Sequence, residues 1–166
     1  KGYLWGKNDE YISSPRLDDL ECAYVTMRAF IESGDNEKIN ICAVFDNEEV
    51  GSTTIQGANS DFLNIVLRRI NNALNFDEET YYCALSKSFL VSSDNAHAVH
   101  PNLNFTDLNN KVYMNKGIVI KFNASQSYTT DAYSSGVVQN ICLKNQQKQI
   151  NMLVIALKSY YLFYLM

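Results

Sequence analysis

Acidic side chains follow two segments of this sequence that have the composition of buried strands. The segment INICAVFD, residues 39–46, runs into Asn47, Glu48 and Glu49, and KSFLVSSD, residues 87–94, ends on Asp94. Short apolar runs rich in β-branched residues and bounded by polar ones are typical of buried strands. Because ligands in open α/β sheets bind beyond the carboxyl ends of strands, these acids stand where a site is expected.

A third acidic pair, Asp18 and Asp19, opens a predicted helix. Carboxylates that are brought together repel one another, and divalent cations are natural candidates to neutralise them. Each acidic group also has an ordinary explanation, since acids are favoured at helix starts and common in solvated loops. His97 and His100 follow Asp94 and either line a pocket or are ordinary satisfied histidines. Spacing alone therefore leaves both a metal site and an ordinary surface open.

Helices alternate with these strands, which predicts an α/β fold of three layers, α/β/α, with a largely parallel central sheet. Helices are predicted at residues 17–33, 60–74, 78–85 and 131–143, and a further strand at residues 117–123. Asp131 is predicted to cap the last helix. The first helix has apolar residues spaced three or four apart, which predicts a face that packs on the core. That stripe consists of Leu17, Leu20, Tyr24, Met27 and Ile31.

The composition predicts one globular domain with a substantial core, since 46% of the 166 residues are hydrophobic and 19% are charged. A net charge of −4 argues against a nucleic-acid-binding module, which normally carries a basic footprint. The four cysteines are widely spaced and contain no C-x-x-C pair, so we expect reduced core thiols in a cytoplasmic protein. The first residue is Lys1 and not Met, which predicts a fragment or a processed product, and the start has no basic-then-apolar secretory signal.

The end of the chain changes character. Residues 144–151 are polar, and residues 152–166 are almost wholly apolar with Lys158 among them. This apolar run is shorter than the about 20 residues of a membrane span. A core helix, a tail anchor and a non-native tail from a truncated or shifted reading frame are the alternatives, and the abrupt change of pattern favours the last.

Four motifs occur in order along the chain and together resemble the aspartyl aminopeptidase family of two-metal exopeptidases. They are PRLDDL at 15–20, FDNEEVGS at 45–52, SSDNAHAVHPN at 92–102 and NKGIVIKFNASQSYTTD at 115–131. The resemblance covers about residues 9–143. It implies that residues 1–143 are part of a metallopeptidase catalytic domain, incomplete relative to the family, and that residues 144–166 form a divergent tail.

The resemblance implies a role for each acid. Asp18 matches the aspartate that bridges two metal ions, Glu49 and Asp94 match the terminal ligands of one ion each, and Glu48 matches the general base that takes a proton from the metal-bound water. A pair of ions about 3.5–4 Å apart activates water and clamps both oxygens of the reacting centre. Zn²⁺ is the implied cofactor, with Co²⁺ or Mn²⁺ as alternatives. Gly51 is expected to allow close backbone approach or an unusual φ beside these glutamates.

Further positions of the motifs match residues around the substrate. The resemblance implies that His97, Lys121 and Tyr128 line the substrate site and that His100 is structural. Ser127 stands where the family usually has a basic residue, so we predict a broad preference rather than a strictly acidic one. The implied partners are peptide substrates, with no nucleic acid and no membrane, and complete family members form homo-oligomers.

The family's two histidine ligands, one far upstream and one downstream, have no counterpart in this chain, nor has its inserted dimerisation domain. A catalytic zinc usually has three protein ligands of its own. In the site that the resemblance implies, Asp18 would give one bond to each ion, and Glu49 and Asp94 would give one each. We therefore expect a truncated aminopeptidase that alone binds metal weakly, has little activity and dissolves poorly. The alternative is an inactive remnant that acts only as a metal-binding or interaction module.

Overall fold

The protein is represented by a computed structural model that describes residues 1–34, 38–100, 102, 110–124, 128–145, 149–153 and 160–165, the last two segments as backbone only. The chain forms two compact units. The first comprises Lys1–Asn95 with Ser159–Met166, and the second comprises Ala96–Lys158. The predicted boundary at residue 143 between a catalytic part and a tail stays a prediction.

The first unit contains most of the predicted elements. A short antiparallel hairpin of β1 and β2 comes first, and three helices and two strands follow before the chain leaves the unit. A last strand returns to it from the end of the chain. The elements are β1 Tyr3–Trp5, β2 Tyr11–Ser13, α1 Leu17–Glu32, β3 Ile39–Ala43, α2 Phe62–Ala73, α3 Glu78–Ser86, β4 Phe89–Ser93 and β7 Tyr160–Leu165.

Strands β3 and β4 run in the same direction because each pairs antiparallel with β7, which lies between them. The carboxyl ends of β3 and β4 therefore meet the same edge of this three-stranded sheet. The segment that carries Glu48 and Glu49 leaves β3 at this edge, and Asp94 directly follows β4. The topology thus places both acidic segments where the sequence predicts a site.

The core of the first unit joins the helices to β3. Phe45, Leu67 and Tyr81 are buried, and the rings of Phe45 and Phe62 meet edge to face at 6.4 Å between centroids. Asp77 caps the start of helix α3, because its carboxylate accepts a hydrogen bond from the backbone N–H of Thr80 at 2.8 Å. An apolar cavity of about 100 Å³ lies between β3, α2 and α3.

Helix α1 packs against β3 and β4, but with a different face from the one predicted. Of the predicted stripe, Leu17 is half-buried, whereas Leu20, Tyr24, Met27 and Ile31 are exposed to between 48% and 65%. The expectation that this stripe faces the core is wrong for those four residues. The half-buried positions of the helix beyond Leu17 are polar or small: Asp19, Cys22, Ala23 and Thr26. The helix therefore turns these polar and small side chains, and not its largest apolar ones, toward the strands.

The second unit contains β5 Ile118–Phe122, α4 Ala132–Lys144 and β6 Gln149–Leu153. Strands β5 and β6 pair in parallel. Asp131 caps α4 as predicted, in a reciprocal capping box with Ser134. The buried apolar residues of this unit, within the part that the structure describes, are Val112, Ile120, Tyr128 and Cys142.

The predicted mixture of helices and strands, and hence the α/β class, is confirmed. The prediction of a largely parallel sheet is wrong for the described strands, because β7 lies between β3 and β4 and pairs antiparallel with both, and only β5 and β6 pair in parallel. The four cysteines are free in the structure, but Cys83 is exposed rather than in the core. In the tail, residues 149–153 and 160–165 are strands, so the core-helix alternative does not hold for them. Ser127 lies outside the described residues. Across the described ranges, no helix has the length and apolar character required to cross a membrane.

Candidate metal centre

Asp18 and Asp19 stand together in the first turn of α1. Asp18 has a non-helical backbone (φ −79°, ψ 111°), and the peptide bond between the two residues is cis. The residue before the helix, Arg16, has a left-handed φ of 66°.

Asp94 meets this pair from the end of β4. One carboxylate oxygen from each of Asp18, Asp19 and Asp94 lies within 4.8 Å of the others, and we call these three residues the acidic triad. Asp19 and Asp94 are half-buried, whereas Asp18 is exposed. The structure therefore brings together two of the predicted metal ligands, Asp18 and Asp94, and adds Asp19 to them.

The donor set of the acidic triad fits a divalent cation. Carboxylate oxygens bind zinc at about 2.0–2.2 Å, so two oxygens on one ion lie closer together than 4.8 Å and a small side-chain movement closes the gap. Three negative charges at this spacing repel one another, and a bound cation turns that repulsion into attraction. Sequence reasoning noted Asp19 only as an acid at a helix start, and the D-D doublet itself was the available signal.

Glu48 and Glu49 lie in a tightly bonded loop after β3. Asn47, with a φ of 61°, donates from its side chain to Thr54 Oγ1 at 3.0 Å, and the Gly51 N–H donates to the Glu48 carbonyl at 2.8 Å. Glu48 is half-buried and Glu49 exposed. Neither belongs to the group of carboxylates within 4.8 Å of one another, so their predicted roles stay predictions.

Gly51 has the unusual φ that the sequence predicts, at +88°. A Cβ added there meets nothing within 4 Å, so the position needs glycine for its backbone conformation and not for room.

A hydrogen-bonded bridge joins α1 to the residue after Asp94. The thiol of Cys22 donates to Asn95 Oδ1 at 3.2 Å, and Asn95 Nδ2 donates to Glu21 Oε2 at 3.2 Å. Burial raises the pKa of the Cys22 thiol above its ordinary value. A hydrogen bond with Ser93 lowers this pKa, and the nearby negative charges, chiefly that of Asp94, raise it again. The thiol therefore stays protonated near neutral pH and can donate.

The predicted substrate residues lie in the second unit. Lys121 is half-buried on β5, and its Nζ lies 5.7 Å from the ring centroid of the buried Tyr128, within cation–π range. His97 is exposed in the segment between β4 and β5. His100 Nδ1 accepts a hydrogen bond from the backbone N–H of Asn102 at 3.2 Å, and its predicted structural role stays a prediction.

Comparison with known proteins identifies the family. The family model described as "Aminopeptidase I zinc metalloprotease (M18)" matches residues 1–159. The chain belongs to the M18 peptidase family. The predicted family is thereby confirmed, and the zinc of the family's description agrees with the predicted cofactor.

Curated M18 relatives give the extent of the match. The chain is 49% identical over 145 residues to "Probable M18 family aminopeptidase 2" of Clostridium novyi, covering 87% of this chain and 34% of that protein. It is 41% identical to "Aspartyl aminopeptidase 1" of Schizosaccharomyces pombe, covering 83% of this chain and 30% of the relative. The chain thus spans about a third of the length of the relatives it matches.

Solved structures of M18 proteins share the fold. A chain of the cryo-EM structure of the Ape4 and Nbr1 complex superposes with a TM-score of 0.75 at 33% identity, over 93% of this chain and 31% of that one. The Saccharomyces cerevisiae mApe1 dodecamer gives a TM-score of 0.66 at 21% identity, over 98% and 44% of the two chains, and supports the fold alone.

Proposed function

We propose that this chain is part of a zinc-dependent aminopeptidase, a metalloexopeptidase that hydrolyses the N-terminal peptide bond of peptides. The acidic triad carries this proposal, because it converges from the start of α1 and the end of β4 in a chain of the M18 family. Its two predicted ligands are separated widely in sequence, so their meeting is not a consequence of local helix geometry.

Within the proposed centre, Asp18, Asp94 and Glu49 would hold the metal ions, and Asp19 would support them from the same turn of α1. When bound, zinc lowers the pKa of a coordinated water and polarises the carbonyl of the scissile bond. Co²⁺ or Mn²⁺ can occupy a carboxylate site of this kind.

Glu48 acts as the general base in this proposal. A carboxylate beside the reacting centre accepts a proton from the attacking water and returns it to the leaving amine. Glu48 is half-buried in a loop fixed by backbone hydrogen bonds, which limits the positions that its side chain can reach. A carboxylate restricted in this way is oriented for proton transfer better than a freely rotating surface acid.

Lys121, Tyr128 and His97 are proposed to contact the peptide. The buried ring of Tyr128 lies beside the Lys121 ammonium group, whose Nζ is 5.7 Å from the ring centroid, and this cation–π contact restricts the position of that group. This preorganisation lowers the side-chain entropy that binding would otherwise cost.

The second candidate is a module that binds metal or a partner without turnover, and the chain spans about a third of the length of its relatives. We also propose a cytoplasmic location, because the four cysteines are free, and homo-oligomerisation, because the chain belongs to the M18 family.

Zinc binding to the purified full chain tests the proposal, measured by calorimetry and by elemental analysis after dialysis. We expect the wild type to bind zinc and the Asp94→Asn variant to bind at least about tenfold more weakly. Asp61→Asn is the matched control, because Asp61 is exposed at the start of α2 and makes no capping hydrogen bond with its side chain. Equal affinity of wild type and Asp94→Asn would overturn the metal centre.

Turnover of aminoacyl chromogenic substrates with added zinc or cobalt distinguishes the two candidates. Glu48→Gln is expected to keep zinc affinity and lose whatever turnover the wild type has. Zinc binding without any turnover would support the second candidate, whereas turnover that survives Glu48→Gln would remove Glu48 from the mechanism.

A further inference from the structure

We propose that Asn95 is a positioning residue for the acidic triad, an inference that rests on the proposed metal centre. Asn95 directly follows Asp94, and its side-chain amide is bonded to α1, the element that supplies Asp18 and Asp19. The bridge therefore links the two chain segments from which the triad is built.

Both polar atoms of the Asn95 amide form hydrogen bonds, the oxygen as an acceptor and the nitrogen as a donor. Oδ1 accepts from the Cys22 thiol at 3.2 Å, and Nδ2 donates to the Glu21 carboxylate at 3.2 Å. Glu21 and Cys22 are consecutive residues, separated from Asn95 by 74 and 73 positions in sequence. One planar group thus fastens the second turn of α1 to the end of β4.

The acidic triad needs a link of this kind because its three negative charges repel one another and favour the separation of Asp94 from α1 when no cation is bound. A neutral amide one residue beyond Asp94 resists the separation without adding charge. The centre then stays close to its binding geometry before the ion arrives, which is how outer-shell partners raise metal affinity.

An asparagine meets these demands better than its nearest substitutes. Aspartate would still accept from the thiol, but it would repel Glu21 and place another negative charge beside the triad. Leucine has a similar volume and forms neither hydrogen bond. The bridge therefore predicts that Asn95→Leu acts through lost hydrogen bonds and not through lost packing.

Zinc calorimetry on the full chain tests the inference. We expect Asn95→Leu to weaken zinc binding about tenfold or more, the range seen when an outer-shell partner is removed. Asn71→Leu is the control, because Asn71 also donates from its amide, to the carbonyls of Phe76 and Asp77 at 3.0 Å, but on α2. It is expected to lower the melting temperature and leave zinc affinity unchanged.

Cys22 supplies a second pair of variants that keeps the test decisive if Asn95→Leu fails to fold. Cys22→Ser retains a hydroxyl that can donate to Asn95 and is expected to bind zinc like the wild type. Cys22→Ala removes the donor and should weaken binding, with an effect that is not additive with that of Asn95→Leu.

Several results would overturn the inference. Wild-type affinity in both Asn95→Leu and Cys22→Ala, with loss only in Asp94→Asn, would refute the positioning role and leave the proposed metal centre intact. Loss in Cys22→Ser as large as in Cys22→Ala would make the thiol itself a ligand. Absence of zinc binding by the wild-type chain would refute the metal centre first and this inference with it.

Discussion

At the start of α4, the side chains of Asp131 and Ser134 each accept a hydrogen bond from the backbone N–H of the other residue. The Ser134 N–H donates to Asp131 Oδ1 at 2.7 Å, and the Asp131 N–H donates to Ser134 Oγ at 2.9 Å. The helix begins at Ala132, directly after the segment that carries Tyr128. This reciprocal cap fixes where the chain leaves the proposed substrate residues and becomes helical.

Asp131→Ala is expected to lower the melting temperature of the protein, because the Ser134 N–H loses its carboxylate acceptor. Ser134→Ala should act in the same direction. Since the two residues form one reciprocal unit, the double variant should be less destabilised than the sum of the single effects. Thermal unfolding followed by circular dichroism measures all three, and strict additivity would contradict a shared cap.

The Asp131 cap also predicts a pH dependence. Hydrogen bonds from Ser134 lower the pKa of Asp131 below the ordinary value of an aspartate. The charged cap therefore stabilises the folded state fully above the unfolded-state pKa, and this contribution is lost as the pH falls through the lower folded-state pKa. The difference in stability between wild type and Asp131→Ala should be largest at neutral pH and shrink below about pH 4. A difference that grows in acid would refute this linkage.

Zinc is expected to stabilise the folded chain. A ligand that binds only the folded state at a hundredfold excess over its Kd adds about 2.7 kcal/mol to the free energy of unfolding. Differential scanning calorimetry with and without zinc should show a higher melting temperature for the wild type and a smaller increase for Asp94→Asn. A chelator should reverse the shift, and an equal increase in both proteins would indicate binding elsewhere.

Gly57→Ala and Gly136→Ala should have opposite effects on stability. A Cβ at Gly57 would fall on the carbonyl group of the buried Ser52, which already accepts from the Asn59 N–H, and the loop holding Glu48 would have to move. We expect a loss of about 1–3 kcal/mol, as for other overpacked sites. At Gly136, inside α4, the same methyl meets nothing within 4 Å and should stabilise by about 0.5–1 kcal/mol. Urea unfolding measures both, and equal signs would contradict the loop geometry.

Leu67→Ala is expected to cost about 2–5 kcal/mol of unfolding free energy. Leu67 is 6% exposed on α2 and borders the apolar cavity, so its removal enlarges an existing void. Ile55→Ala is the control, because Ile55 is 82% exposed and a surface change of this kind stays within about 0.5 kcal/mol. Chemical denaturation of both variants provides the comparison, and a loss below about 1 kcal/mol at Leu67 would mean that the cavity collapses freely.

Local chemistry made several elements predictable from sequence. Asp131 is a typical N-cap residue and directly precedes α4. Gly34 follows α1 with a φ of +67°, a conformation in which glycine commonly ends a helix. Strands β3 and β4 were predictable from their apolar composition. Each of these signals acts within a few residues and is therefore visible in a single sequence.

The rotation of α1 was not predictable in this way. The apolar periodicity of α1 predicts that Leu20 and Met27 face a core. In the structure, Asp19 and Cys22 instead contact the residues that follow β4. Leu20 and Met27 are therefore exposed. The placement of β7 between β3 and β4 likewise depends on contacts across most of the chain. The roles of Glu48 and Glu49 came from the family resemblance, because a pair of loop acids carries no spacing signal of its own.

The wide sequence separation across the Cys22–Asn95 bridge has a consequence for biosynthesis. While the ribosome is still producing β3 and α2, the aspartates of α1 have already emerged and have no partner from β4. Contacts of this range are closed late, after shorter loops have formed. The carboxylate cluster is therefore completed only when most of the first unit has been translated, and a nascent chain that stops before β4 carries acids but no cation site.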